Sequence, residues 1–138
     1  TPRDKKLFKK MQNEVTSQYT EFAKRDKITY DAAIGIGENV ADISAMAIVD
    51  EYLRDFQEKN NTLPAIRSLS YEALYTYYAL QMKQQLATNA LAAQLKTNPH
   101  ALDKYRTNIP LSRSQIFRAL FNIKKGDKMW WNNTNTIW

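Results

Sequence analysis

Hydrophobic residues in the first 25 positions recur every three or four places and form one stripe: Phe8, Met11, Val15, Tyr19 and Phe22. This spacing puts apolar side chains on one face of an α-helix. The opening Thr1-Pro2-Arg3-Asp4 supplies an N-cap residue, a proline at the first helical position and a carboxylate near the positive end of the helix dipole. We therefore predict that a helix begins directly after Thr1 and packs this stripe into a core.

A second apolar pattern extends from about Gly37 to Lys59 and changes along its length. Its first half is apolar on nearly all sides. Its second half has an apolar side, Tyr52, Leu53 and Phe56, and a charged side, Asp50, Glu51, Arg54, Asp55 and Glu58. A helix that is apolar all round is a buried one, so we predict that the first half is buried. In the preceding connection, Gly35 and Gly37 allow the backbone to turn or to approach a neighbour closely.

Turn and capping signals divide the rest of the chain. Asn60-Asn61-Thr62-Leu63-Pro64 ends the second helix, and Ser70 caps a third that breaks near Thr88-Asn89 and ends at Asn98-Pro99. Ser112-Arg113-Ser114-Gln115 has the pattern of a capping box before a short helix. Residues 124–128 form a turn, and we expect the aromatic tail up to Ile137-Trp138 to pack back onto the domain. These signals predict an all-α fold of about four to five helices, which the low glycine and proline content also favours.

Composition limits the possible classes of protein. A chain of 138 residues that is 43% hydrophobic suits one domain or a piece of a larger one. The net charge is +6, but the basic residues are spread over several segments, so we expect no nucleic-acid partner, and no apolar run is long enough to suggest a membrane partner. The absence of cysteine excludes disulfides and thiolate zinc sites and is typical of a reducing compartment. Because the chain begins at Thr1 and not at Met, the lack of a signal peptide is uninformative.

Two carboxylates, Glu38 and Asp42, lie one helical turn apart among small and apolar residues. Like charges at this spacing repel by a few tenths of a kcal/mol. If they are buried, each needs a partner, a proton or a metal. The alternative is a solvated acidic spot on an amphipathic helix.

His100 is the only histidine, and it follows Pro99 in a segment that leads to Arg106. Loops carry functional residues more often than helix interiors do. A single histidine fits many roles, however, and a solvated side chain without one is the alternative for His100. The corresponding alternative for Arg106 is an ordinary surface charge.

The order of several motifs is distinctive: Gly-Glu-Asn-Val-Ala-Asp at 37–42, Lys-Thr-Asn-Pro-His at 96–100, Tyr-Arg at 105–106, Phe-Asn-Ile-Lys-Lys-Gly-Asp-Lys-Met-Trp at 121–130, and a terminal Ile-Trp. This order closely resembles the C-terminal part of the neprilysin family of zinc metallopeptidases, in particular the bacterial oligopeptidase O branch. The resemblance extends from the first helix to the last residue. It implies that residues 1–138 are the helical C-terminal segment of a gluzincin-type catalytic domain.

The resemblance also implies roles for the candidate residues. In such enzymes a His-Glu-x-x-His helix supplies two zinc ligands and the catalytic base. Glu38 matches the third zinc ligand, and Asp42 matches an aspartate that hydrogen-bonds a zinc-binding histidine. His100 matches a histidine that stabilises the oxyanion of the tetrahedral intermediate, and Arg106 matches an arginine that binds a backbone carbonyl of the substrate.

One departure from the family pattern determines what this chain can do alone. No His-Glu-x-x-His occurs in it, and a catalytic zinc normally has three protein ligands. We therefore expect the Zn²⁺ site to be incomplete and the 138 residues neither to hold catalytic zinc firmly nor to cleave peptides. The expected partners are an oligopeptide substrate, the missing N-terminal part of the same enzyme, and further copies of the fragment through exposed apolar surface.

Smaller departures concern packing, specificity and location. Ser44-Ala45 replace two glycines that are frequent in the family, so local helix packing is expected to be less close. Met82 replaces a common tryptophan, so the substrate pocket is expected to differ. Extracellular animal members carry cysteines that this chain lacks, which favours a cytoplasmic bacterial peptidase. Two other hypotheses remain open: a non-catalytic basic helical module that binds nucleic acid or an acidic partner, and a degenerate peptidase relative with a structural role.

Overall fold

The computed structural model describes residues 1–62 and 70–134, and all six regular elements in these ranges are helices. They are α1 (Pro2–Arg25), α2 (Ile36–Lys59), α3 (Tyr71–Gln81), α4 (Thr88–Thr97), α5 (Asp103–Arg113) and α6 (Gln115–Leu120). The predicted all-α class is confirmed for this part of the chain, which contains no helix of the length and apolar character needed to cross a membrane. The predictions for Leu63-Pro64 and Ile137-Trp138 lie outside the described residues.

The predicted helix starts are largely confirmed. Thr1 and Asp4 form a reciprocal capping box at the start of α1. Ser70 caps α3 by accepting the Ala73 N–H at 3.0 Å. The break between α3 and α4 occupies residues 82–87, slightly earlier than predicted. A local side-chain oxygen that satisfies an unpaired N–H is readable from sequence because it needs no tertiary contact.

The helix α5 was not predicted. It contains Arg106 and an internal proline, Pro110, in a part of the chain for which the sequence signals predict no helix. For the same reason the predicted capping box at Ser112 is wrong: Ser112 lies inside α5, where its hydroxyl donates to the Ile109 carbonyl at 2.7 Å. The residue that caps α6 is Ser114, which accepts the Phe117 N–H at 3.1 Å.

The core consists of two clusters, and α5 contributes to both. The first joins α1, α2 and α5 through the buried residues Val15, Tyr19, Phe22, Val40, Ile43, Tyr105 and Ile109. The second joins α2, α3, α5 and α6 through Met46, Tyr75, Leu111 and Phe117. Most of the predicted stripe of α1 is therefore in the core, although Phe8 at its front end is 37% exposed.

The helix α2 is buried on one face only. Its buried residues, Asn39, Val40, Ile43, Met46 and Asp50, all lie between positions 39 and 50. On the other face Ala41 and Ala45 are exposed, and Ile48 is 64% exposed. The prediction that the first half is buried thus holds for the face that packs mainly against α1 and α5 and is wrong for the exposed face.

The tail folds back onto the helices, as predicted, as far as it is described. The Trp131 ring packs edge-on against Phe22 at a centroid distance of 6.2 Å, and its Nε1 donates to the Glu14 carboxylate at 2.7 Å. The predicted turn at 124–128 is confirmed, with Gly126 at a φ of +106° that favours glycine. These contacts attach the C-terminal segment to α1.

Candidate functional site

Glu38 and His100 meet at the start of α2. Glu38 lies in the first turn of that helix, and His100 lies in the short connection between α4 and α5. The His100 Nε2 is 3.2 Å from the Glu38 Oε2, and the two side chains are 41% and 47% exposed. The fold thus brings together two of the predicted site residues at a surface where a third group can reach both.

Asn98 holds the His100 ring from the other side. Its Oδ1 accepts the backbone N–H of His100 at 2.9 Å and lies 3.2 Å from the ring Nδ1. Both ring nitrogens therefore face an oxygen that can accept a hydrogen bond. We did not single out Asn98 from the sequence. The available signal was an asparagine two residues before the histidine, the spacing of an Asx turn.

Asp42 and Arg106 form the second pair of the site. The guanidinium donates from Nε to Oδ2 at 2.8 Å and from Nη2 to Oδ1 at 3.0 Å, with Arg106 23% and Asp42 14% exposed. Such two-point, charge-assisted pairing fixes geometry as well as charge. The hydrogen bonds that Arg106 donates to Asp42 raise the pKa of Arg106, and burial opposes this with a smaller effect. Arg106 is therefore a paired, partly buried charge.

The backbone of Arg106 is fixed by a tyrosine from α3. Pro110 has no N–H to donate to the carbonyl four residues earlier, which is that of Arg106. The Tyr78 hydroxyl donates to this carbonyl at 2.8 Å instead. Burial, together with the negative charge of Asp42, raises the pKa of Tyr78 to about 12, so the hydroxyl remains a donor at neutral pH.

Asp50 is a buried carboxylate outside the predicted site. We placed it on the charged, solvent-facing side of α2, but it is only 9% exposed. It accepts hydrogen bonds from Ser114 at 2.5 Å and from Tyr75 at 2.8 Å. Burial raises the pKa of Asp50, and the hydrogen bonds from the two hydroxyls partly offset this increase. The carboxylate joins α2 to α3 and α6.

The donors of this chain do not complete a zinc site by themselves. Within residues 1–62 and 70–134, no three histidine, aspartate or glutamate side chains come together as a possible metal-binding group. Glu38 and His100 are one carboxylate and one imidazole, and Asp42 is already paired with Arg106. The exposed Glu38 carboxylate fits the part of a single ligand, and the remaining ligands of a three-ligand catalytic site would have to come from elsewhere.

A mainly apolar cavity of about 730 Å³ lies between α3, α4, α5 and α6. Its walls include Met82, Leu91, Leu102 and Phe117, together with the polar side chains of Lys83 and Asn108. None of the four predicted site residues lines it. Met82, which we associated with the substrate pocket, therefore faces a space separate from the Glu38–His100 pair.

The chain is similar to known peptidases along most of its length. It is 26% identical over 125 residues to an endothelin-converting enzyme homolog from Locusta migratoria, an alignment that covers 88% of this chain and 17% of the relative. It is 27% identical over 105 residues to a neutral endopeptidase from Lactobacillus helveticus, covering 75% of this chain and 14% of the relative. The chain thus spans less than a fifth of the length of these relatives. No solved structure matches it at a comparable level of significance.

The match to a family model is more extensive than either alignment. The model of peptidase family M13 matches residues 1–137, which include all six helices and all four site residues. The chain belongs to peptidase family M13, the neprilysin family.

Proposed function

We propose that this chain is the C-terminal segment of the catalytic domain of a zinc-dependent endopeptidase that hydrolyses oligopeptides. The family match and the names of the two relatives support a metalloendopeptidase. Membership of the bacterial oligopeptidase O branch and a cytoplasmic location are the finer parts of the proposal. They rest on the motifs at 37–42 and 96–100 and on the absence of cysteine.

One observation carries the proposal: two side-chain pairs form between α2 and the α4–α5 region. Asp42 and Arg106 are 64 positions apart in sequence, yet they share a two-point ion pair. Glu38 and His100 approach to 3.2 Å only one helical turn away. These are the four residues that the family resemblance singles out, and each of the two carboxylates on α2 meets one of the other two residues.

Each side chain then has a defined role. A bound zinc would activate a water molecule and polarise the scissile carbonyl, with Glu38 as one of its ligands. Asp42 would orient a histidine ligand from another part of the protein. His100 would donate a hydrogen bond to the oxyanion. Arg106 would bind a substrate carbonyl, and three of its five N–H groups remain after the two that Asp42 accepts.

The remaining zinc ligands would come from a His-Glu-x-x-His helix in a longer polypeptide. The test is to express the longer protein encoded by the gene and to measure zinc content and cleavage of an oligopeptide. Glu38→Ala should lose stoichiometric zinc and activity, whereas Glu58→Ala, an exposed carboxylate at the other end of α2, should keep both. Full zinc content in Glu38→Ala, or an upstream sequence without the histidine motif, would refute the proposal. Tight zinc and peptidase activity in the 138 residues alone would refute the fragment assignment.

A second candidate is a non-catalytic basic module. The first ten residues are all exposed, and they include Lys5, Lys6, Lys9 and Lys10 beside Leu7, which is 50% exposed. An acidic partner bound here would show an affinity that falls steeply with salt. A titration against a polyanion at two salt concentrations tests this candidate function. The absence of binding at the lower salt concentration would refute it.

Self-association of the isolated chain is a further part of the proposal. The open face of α2 carries Ile48 and Tyr52, which are 64% and 66% exposed. Contiguous apolar surface of this kind favours association. Sedimentation that shows only monomer at high micromolar concentration would contradict it.

A further inference from the structure

Gly35 stands at the point where the His100 segment touches α2. It is the N-cap residue of α2, with φ −99° and ψ 20°, so its backbone conformation does not itself require glycine. The surrounding space, in contrast, leaves no room for a larger side chain. A Cβ at this position would lie 2.1 Å from the Pro99 carbonyl oxygen, 3.3 Å from the Pro99 carbonyl carbon and 3.1 Å from the Tyr30 hydroxyl.

The nearest atom, the Pro99 carbonyl oxygen, belongs to the backbone and cannot change rotamer as a flexible side chain could. Pro99 precedes His100 directly, and its own φ is fixed by its ring. The segment is also anchored at both ends: Asn98 holds the His100 N–H, and Ala101 and Leu102 are buried in the core. A group that pushes on the Pro99 carbonyl therefore moves His100 with it.

The other side of the contact is equally constrained. The Gly35 carbonyl accepts the first helical hydrogen bond of α2, from the Asn39 N–H at 2.9 Å. Asn39 is fully buried, so a shift of the first turn of α2 away from Pro99 would disturb the packing of Asn39. Glu38 belongs to the same turn. The backbone contact between Gly35 and Pro99 thus sets how closely His100 approaches Glu38.

We propose that Gly35 is a positioning residue whose missing side chain lets the His100 segment approach α2, which places the imidazole against Glu38. Because an ordinary van der Waals contact begins at 3.4 Å, relief of this 2.1 Å contact requires a movement of at least about 1.3 Å. A shift of that size is enough to break a 3.2 Å ring-to-carboxylate contact. Its consequence for peptide hydrolysis rests on the proposed function, whereas the contact itself does not.

The chain offers a matched control in Gly37. This residue lies two positions further on in the same helix, and a Cβ there would meet nothing within 4 Å. The substitutions Gly35→Ala and Gly37→Ala add the same methyl group to the same turn. Only the first of them presses on Pro99.

The test uses NMR of the 138-residue chain, in which the single histidine makes the ring signals unambiguous. In the unsubstituted chain and in Gly37→Ala, we expect a nuclear Overhauser contact between the His100 ring and the Glu38 side chain. We also expect the ring ¹⁵N signals to change on Glu38→Gln. In Gly35→Ala the contact should disappear and the ring signals should no longer respond to Glu38→Gln, while the signals of the core residues Val15 and Ile109 stay in place.

An undiminished contact and an undiminished response to Glu38→Gln in Gly35→Ala would overturn the inference, as would the same loss in Gly37→Ala. If Gly35→Ala unfolds the chain at the working temperature, the same readout is taken at a lower temperature at which this variant is folded, with Gly37→Ala measured beside it. None of these results depends on zinc or on peptidase activity. Failure of the proposed function would instead appear as retained zinc in Glu38→Ala of the longer protein.

Discussion

The Tyr78 hydroxyl should contribute about 1 kcal/mol to stability because it replaces a helical hydrogen bond that Pro110 cannot make. In an uninterrupted helix the N–H of residue 110 bonds to the carbonyl of Arg106. Here Tyr78 donates to that carbonyl at 2.8 Å. The substitution Tyr78→Phe removes the donor from a half-buried carbonyl, and the net loss for such a bond is about 0.5–1.5 kcal/mol.

Urea unfolding followed by the helical circular dichroism signal measures this loss as a decrease in the free energy of unfolding. A loss of 1 kcal/mol lowers the Tm of a chain of this size by about 4 °C. Tyr77→Phe is the matched control, because Tyr77 is the neighbouring residue of α3 and is 72% exposed. It should change the free energy of unfolding by less than about 0.5 kcal/mol.

A double-mutant cycle with Pro110→Ala tests the cause and not only the size of the effect. This substitution restores an N–H that can donate to the Arg106 carbonyl, so Tyr78→Phe should cost less in its presence. The packing lost by Pro110→Ala itself cancels in the cycle. An equal cost of Tyr78→Phe in both backgrounds, or a cost no larger than that of Tyr77→Phe, would refute the reasoning.

Three further predictions concern the site and the buried carboxylate. In the longer protein, Asp42→Ala should lower zinc affinity or rate about ten- to a hundred-fold. His100→Ala should lower kcat about a hundred- to a thousand-fold with zinc retained. Loss of zinc in His100→Ala would show that His100 is a ligand. Burial raises the pKa of Asp50 in the folded chain above its value in the unfolded chain. The stability that Asp50 contributes is therefore fully present at a pH below its unfolded-state pKa and is lost as the pH rises through its folded-state pKa. Urea unfolding measured between pH 3.5 and pH 7 covers the usual carboxyl pKa of about 4. The free energy of unfolding should show this pH-dependent loss in the unsubstituted chain and a smaller loss in Asp50→Asn. Identical pH profiles of the two chains would contradict the prediction.

The helix α5 illustrates what local sequence cannot reveal. A proline eight positions into a segment normally ends a helix, since it removes a hydrogen bond and leaves a carbonyl unpaired. That carbonyl is satisfied by Tyr78, which lies 28 positions away in sequence. The helix therefore depends on a contact that exists only after α3 and α5 have packed together.

Burial along α2 was equally a matter of tertiary structure. Composition places small and apolar residues around its first half, but Ile48 is exposed and Asp50 is buried. A carboxylate can be buried where hydroxyls from other elements, here Tyr75 and Ser114, donate to it. No periodicity in α2 itself carries that information.

The sequence by itself determined the helical class, the caps at Thr1 and Ser70, and the placement of Glu38 and Asp42 on one side of one helix. These follow from hydrogen bonds and spacings within a few residues of one another. Only the tertiary structure decided that Glu38 meets His100 and that Asp42 meets Arg106. The reason is that the α4–α5 connection reaches α2 through a backbone contact at Gly35, where the absence of a side chain leaves just enough room.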